Sequence, residues 1–141
     1  GVLNVEKKLF VETNESGKRE IRPVTEAQPL KVGDKVIVRL TVRSDRDMEY
    51  VFLKDLRAGC FEPTQVLSGS QYRDGIWYYR SSKDLSENIY IEHLPQGTFV
   101  LEYPVVVSRS GSYTGGISTI QCLYAPEFIS HTEGNRLLVT E

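Results

Sequence analysis

The stretch that decides the fold is DKVIVRLTVRS, Asp34 to Ser44. Val36, Val38, Leu40 and Val42 alternate with a side that is mostly polar, carrying Lys35, Arg39, Thr41 and Arg43. That period of two marks a strand with one face in a core and the other toward solvent. Ile37 interrupts the polar side, so the outer face is expected to be partly covered there. The KVGD that leads in, Lys31 to Asp34, is a turn in which Gly33 can take a positive φ.

The same alternation extends in both directions. EYVFLKDL, Glu49 to Leu56, sets Tyr50, Phe52 and Leu56 against Val51 and Leu53. The turn YRDG introduces GIWYYRS, where Trp77 and Tyr79 share one face and Ile76 and Tyr78 the other. NIYIEHL sets Ile89 and Ile91 against Tyr90 and Glu92, and the Pro-Gly turn LPQG follows. TFVLEYPVVVSRS is a long strand whose Pro104 demands an edge or a bulge, because proline cannot donate to a ladder. SGSYTGG turns the chain into ISTIQCLY, and NRLLVTE closes it. Upstream, LNVEKKLFVE reads as a strand, TNESGKRE as a polar turn and IRPVTEAQPL as an extended or looped piece. No segment holds a helical period over three turns. SSKDLSEN offers one helical turn at most, which places the single short helix near residues 82–88. Strands separated by turn signals predict an all-β, antiparallel, immunoglobulin-like sandwich of seven to nine strands, with at most that one short helix.

The 141 residues suit one domain, 1–141, large enough to bury about two thirds of its unfolded surface. Gly1 reads as a remnant of cloning, and no signal peptide is visible. A net charge of −2 argues against a nucleic-acid partner, which would call for a basic face. No apolar run approaches a membrane span. Chemistry finds little support. His93 ends a strand beside a turn and reads as solvated filler. Ser130, His131 and Glu133 are neighbours in sequence, whereas a working triad converges from separate elements. Acidic residues in RSDRDMEY and KDLSEN are interleaved with Lys and Arg, so they read as a solvated face and not a calcium loop. No catalytic residue, cofactor or metal is therefore expected.

Cys60 and Cys122, the two cysteines, lack the spacing of a zinc site. Two readings stay open: two unrelated buried thiols, or one disulfide worth roughly 4 kcal/mol by the chain-entropy account. The aromatic strand IWYY has one face for the core. The other, with Trp77 and Tyr79, carries amphipathic rings of the kind enriched at interfaces. QCLYAPEF, Gln121 to Phe128, gathers apolar and aromatic side chains around Pro126, which is expected to forbid a regular strand.

Taken in order, LKVGDKVIVRLTVRSDRDMEYVFLKDLRAGCFEP, GIWYYRS and LPQGTFVLEYPVVVSRSGSYTGGISTIQCLYAPEF resemble the C-terminal macroglobulin-like domain of bacterial alpha-2-macroglobulins. The resemblance spans about residues 2–141. It implies that this is a non-catalytic piece of a large, multi-domain endopeptidase inhibitor of the periplasm or cell envelope, often lipid-anchored. Such a parent traps target proteases after cleavage of a bait region. Many members hold a reactive thioester, in a CxEQ motif, within a helical thioester domain. That motif is absent here: FEP follows Cys60 and LYA follows Cys122. The implied task of this domain is to pack on the thioester domain and shield its reactive bond. LYAPE matches the shielding loop, so Leu123, Tyr124 and Pro126 are the implied interface residues. A Cys60–Cys122 tie would hold that loop to the sandwich. Against this stands the reading that Leu123 and Tyr124 cap the domain's own core. The rival function is an immunoglobulin-like adhesion or carbohydrate-binding module of the cell envelope, motivated by Trp77 and Tyr79.

Overall fold

The computed structural model describes residues 1–66 and 68–141. The chain is all-β, with two large sheets face to face and a small third one closing an end. The first sheet runs in the order β2 (Lys18–Pro23), β1 (Leu3–Glu15), β4 (Lys35–Ser44), β10 (Gly97–Val107), β6 (Phe61–Pro63). The second runs β13 (Ala125–His131), β12 (Ser118–Cys122), β5 (Met48–Leu56), β9 (Ser86–Leu94), β8 (Ile76–Ser82), β7 (Ser68–Arg73). The third joins β11 (Gly111–Thr114), β14 (Arg136–Thr140) and β3 (Leu30–Lys31). Only the two-residue β3–β14 ladder is parallel among the described pairings.

The alternation read from Asp34 to Ser44 holds. Val36, Val38, Leu40 and Val42 are buried, and they face Val51, Leu53, Ile89, Ile91 and Ile120 from the second sheet in one core. Ile37 is buried on the outer side, beside its register partners Phe10 and Pro104. Pro104 keeps the β4 ladder intact, and β6 pairs with β10 only from Val105 onward. The proline therefore lies where β10 has no second neighbour, as its missing donor requires.

Two expectations need correction. Among the described residues fourteen strands appear where seven to nine were expected. The excess comes from short pieces: β6 lengthens an edge of the first sheet, β3 and β11 belong to the small third sheet, and β1 and β2 form an extra hairpin. The helical turn expected near residues 82–88 is a hairpin, with Ser82 paired to Glu87 and the Lys83 amide bonded to the Ser86 carbonyl at 2.8 Å. The ladder runs to within a few residues of the reversal and leaves no length for a helical turn. Two further hairpins turn through Ser16–Gly17 and Asp74–Gly75, each with positive φ at both positions. These are the primed turns that match strand twist.

Polar groups also cross the core. Asp55, on an inward position of β5, is fully buried. It accepts from Lys7 Nζ at 2.7 Å, from Ser118 Oγ at 2.7 Å and from the Tyr103 hydroxyl. Lys7 and Tyr103 belong to the first sheet, so Asp55 ties the two layers together. Lys7 Nζ also donates to the carbonyls of Gly116 at 2.9 Å and Leu56 at 3.1 Å. A Cβ on Gly116 would run into the Leu56 carbonyl, so only glycine lets the chain pass this close. Beside this, buried Glu87 accepts from Arg57 at 3.2 Å, Arg80 at 3.0 Å and Ser82 Oγ at 2.9 Å. The Arg80 guanidinium lies 5.0 Å from the Tyr103 ring centre and links the two clusters. Burial first, and Asp55 second, push the Tyr103 phenol well above its ordinary range, so it stays a protonated donor.

Removing one member of such a set leaves the other charge buried and unpaired. Asp55→Ala is expected to cost about 3–5 kcal/mol in urea unfolding. Lys7→Met with Asp55→Leu together should cost less than Asp55→Ala alone, because no charge is then stranded. A double variant weaker than the single one would refute this account.

Candidate functional site

The outward residues at the centre of β5, β8 and β9 form one aromatic surface. Phe52 on β5 stands opposite Tyr90 on β9, which stands opposite Tyr79 on β8. Phe52 and Tyr90 stack at 4.8 Å, Tyr79 and Tyr90 lie 6.4 Å apart, and Tyr72 packs on Trp77 at 4.8 Å. Trp77 is 67% exposed and Tyr79 is exposed too, whereas Ile76 and Tyr78 of the same strand are buried. The expected division of IWYY into a core face and an outer face therefore holds.

At one end of this surface sits the reversal between β12 and β13. Leu123 is 49% exposed and Tyr124 is 77% exposed. Neither belongs to the domain's core, which overturns the reading that they cap it. The Tyr124 ring meets Tyr50 edge-on, at 4.8 Å and 60° between planes. Pro126 does not prevent a strand, contrary to expectation: it is exposed within β13, an edge strand. Cys122 pairs with Ala125 and Gln121 with Ile129, so residues 126–128 bulge from the ladder. An edge strand at a bulge is where proline's missing donor costs least. The Gln121 amide spans the bulge to the Pro126 carbonyl at 3.1 Å. Within the bulge, Phe128 packs against the core and carries the Arg46 guanidinium 5.1 Å from its ring centre.

The two candidate groups read separately from sequence meet in space. Leu123, Tyr50, Trp77, Tyr79 and Tyr90 line one shallow groove of about 300 Å³, with Glu92 and Ser70 among its polar walls. Tyr50, Phe52 and Tyr90 were read only as one side of a strand. Placing them beside Leu123 requires the strand register, which the sequence does not contain.

Tyr50 has a φ of 59°, in the left-handed region, within an otherwise extended strand. Such a conformation costs of order 1–3 kcal/mol in a residue other than glycine. Its carbonyl accepts the Leu123 amide at 2.8 Å.

The cysteines are free and separate. Cys122 lies opposite Val51, and its thiol donates to the Glu49 carbonyl at 3.5 Å. Cys60 lies beyond Leu56, the other end of β5, where its carbonyl accepts the Ser108 amide at 2.8 Å. Cys122 is thus held at the Val51 end of β5 and Cys60 follows its Leu56 end, and neither is bridged. The disulfide reading is therefore replaced by that of two buried thiols. Burial pushes the Cys60 thiol up from its ordinary range. His93 and His131 are both exposed, and Ser130 and His131 are successive strand residues that point to opposite sides of β13. Among the described residues, no group of three His, Cys, Asp or Glu side chains is placed to hold a metal.

This is an immunoglobulin-like sandwich whose conspicuous surface is a patch of rings beside an exposed reversal. The Bacterial Alpha-2-macroglobulin MG10 domain family matches residues 3–127, and the chain belongs to that family. The full length superposes on Salmonella alpha-2-macroglobulin, solved as a tyrosine-to-glycine mutant, with TM-score 0.71 and 22% identity, covering 9% of that chain. It also superposes in full on native Escherichia coli alpha-2-macroglobulin, spanning domain MG7 to the C-terminus, with TM-score 0.72 and 16% identity, covering 24% of it. Among curated proteins, Circularly permutated Ras protein 2 of Dictyostelium discoideum is 24% identical over 128 residues, 89% of this chain and 3% of that protein. The chain thus spans a small fraction of each relative it matches.

If both thiols are free and buried, the native protein should resist Ellman's reagent, and denaturation without reductant should release both. Recovery of no thiol after denaturation would restore the bridge.

Proposed function

We propose that this domain is a non-catalytic shield within a bacterial alpha-2-macroglobulin-like inhibitor of endopeptidases. In this reading it packs on a thioester-bearing domain of its parent chain, with Leu123 and Tyr124 laid over the reactive bond and Pro126 stiffening the approach. The parent works in the periplasm or cell envelope, held there by a lipid anchor, and meets its target proteases through other domains.

The observation that carries the reading is the exposed Tyr124 ring, held edge-on to Tyr50 in a segment that matches the family. A thioester is lost to water and to amines. A ring and an aliphatic side chain laid over it exclude both, and that exclusion prolongs its life. Rings already placed before docking also lower the ordering cost of the contact. The Salmonella relative has been solved after reaction with methylamine, an amine able to attack an acyl thioester.

A second reading is favoured by the groove along Trp77, Tyr79 and Tyr90, whose rings could stack on the apolar faces of sugars in a cell-envelope carbohydrate-binding module. The two readings part company in the isolated domain. A carbohydrate-binding module quenches or enhances Trp77 fluorescence on titration with cell-wall oligosaccharides, and a shield does not respond.

Tyr124→Ala should leave the domain folded, with its melting point lowered by only a few degrees, because an exposed ring contributes little to the core. A buried aromatic cut to alanine would cost about 3–5 kcal/mol. In the full-length parent the same change should speed the reaction of methylamine with the uncleaved protein. Leu123→Ala should act in the same direction and more weakly, since it uncovers less area. An unchanged methylamine rate in a folded Tyr124→Ala parent would overturn the shielding role.

A further inference from the structure

Among the described residues, three other than glycine have a left-handed φ: Ser16, Asp74 and Tyr50. Ser16 and Asp74 sit at hairpin reversals, where short polar side chains tolerate that conformation. Tyr50 lies inside β5, between ladder pairs of uninterrupted register, Glu49 with His93 and Val51 with Ile91. No residue has been inserted, so the kink is not a bulge. Its effect is a change of side. Met48 and Val51 both point inward, and Glu49 and Tyr50 both point outward. Glycine would adopt this backbone without strain. The sequence carries a tyrosine there instead, which directs attention to what the ring does.

The ring and the backbone of Tyr50 engage the same two residues. The carbonyl takes the Leu123 amide at 2.8 Å, and the ring meets the Tyr124 ring at 4.8 Å. Tyr50 is itself 39% exposed and lines the aromatic groove together with Leu123. Tyr50 shares the outward side with Phe52, as the alternation through Val51, Leu53 and Asp55 requires; the break falls between Tyr50 and Glu49, which also points outward, so that Met48 returns to the core. The outward ring meets Tyr124 edge-on.

We infer that Tyr50 is the positioning residue of the Leu123–Tyr124 reversal, its carbonyl holding the Leu123 amide and its ring seating Tyr124. This inference rests on the shielding reading above for its consequence, but its geometry belongs to this domain alone. Tyr50 does not touch the reactive bond. It acts through Tyr124, holding that ring where it can cover a neighbour and limiting its swing toward solvent.

The test uses the full-length parent with Tyr50→Gly, Tyr50→Phe and Tyr124→Ala. Two signals are read: the rate of methylamine reaction, and hydrogen exchange measured by mass spectrometry on the peptide covering residues 121–128. Tyr50→Gly keeps the backbone conformation and removes only the ring. It should remain folded, exchange several-fold faster across 121–128 and react with methylamine faster than the unmodified parent. Tyr50→Phe keeps the ring and should match the unmodified parent in both signals. If the kink alone mattered, glycine would satisfy it and neither signal would move, which would overturn the inference. A faster methylamine reaction in Tyr124→Ala beside an unmoved Tyr50→Gly sinks the positioning role and leaves the shield standing. An unmoved rate in Tyr124→Ala sinks the shield, and the exchange comparison between the glycine and phenylalanine variants then decides the positioning role by itself.

Discussion

The carboxylate of Asp55 is the point on which the two layers of this sandwich agree. It is fully buried on the second sheet, and two of its donors, Lys7 and Tyr103, come from the first. Apolar packing between sheets is tolerant of sliding, because one Val–Val contact resembles the next. An ion pair at 2.7 Å is not. A shift of either sheet by one residue pair would put an aliphatic side chain against Asp55 and strand a charge, at a cost of several kcal/mol. A hydrophobic trio of the same volume would stabilise as well or better. What the polar set contributes is the choice of one relative position of the sheets, since any other strands a charge. Glu87, with Arg57 and Arg80, repeats the arrangement nearby, and the Arg80–Tyr103 contact makes the two clusters one.

The same strand serves both sides. Val51, Leu53 and Asp55 of β5 point into the core, and Tyr50 and Phe52 point out beneath the candidate site. Fixing Asp55 between the sheets therefore fixes the base on which Tyr124 rests. Asp55 also accepts from Ser118, at the start of β12, the strand that ends in Cys122 just before Leu123 and Tyr124. Both partners in the Tyr50–Tyr124 contact are thus carried on neighbouring strands anchored to one buried carboxylate. The strain at Tyr50 can persist because the ladder holds on either side of it.

Much of this was legible in the sequence, and the exceptions have physical causes. The alternation in Asp34–Ser44, Ile76–Tyr79 and Ile89–Glu92 gave buried and exposed sides correctly, since period two is set by local backbone geometry. Lys7 and Asp55 also obey it. Lys7 shares a side with Leu3, Val5 and Val11, and Asp55 shares one with Val51 and Leu53, so a charge at a core position was visible on each strand. That they meet was not visible, because pairing across 48 residues of sequence is a tertiary fact. The helical turn expected near residues 82–88 failed for a related reason. Ser82 and Glu87 look like ordinary polar turn residues until the buried arginines that hold Glu87 are seen. Pro126 was read as a strand breaker on intrinsic grounds, and the edge position with its bulge removes the conflict. The kink at Tyr50 left no mark in the sequence, where glycine or asparagine would be the usual sign.

The distribution of chemistry over the molecule bears on what kind of part it is. Its charged groups with buried partners, Asp55, Glu87, Lys7, Arg57 and Arg80, are satisfied by one another and face inward. Its thiols are buried, and its histidines are exposed and do not line the ring-lined groove. What the domain offers outward is shape and apolar area: a rigid sheet, a row of rings, and one reversal projecting from it. Such a surface does no work until another surface covers it, and its value then depends on how little it must rearrange on contact. The ladder bond from Leu123 to Tyr50, the side-chain brace from Gln121 to Pro126 and the seat under Tyr124 each limit that rearrangement. A part whose interior is fixed by charge and whose exterior is aromatic and pre-set fits the role of cover for a neighbour better than that of an independent reagent.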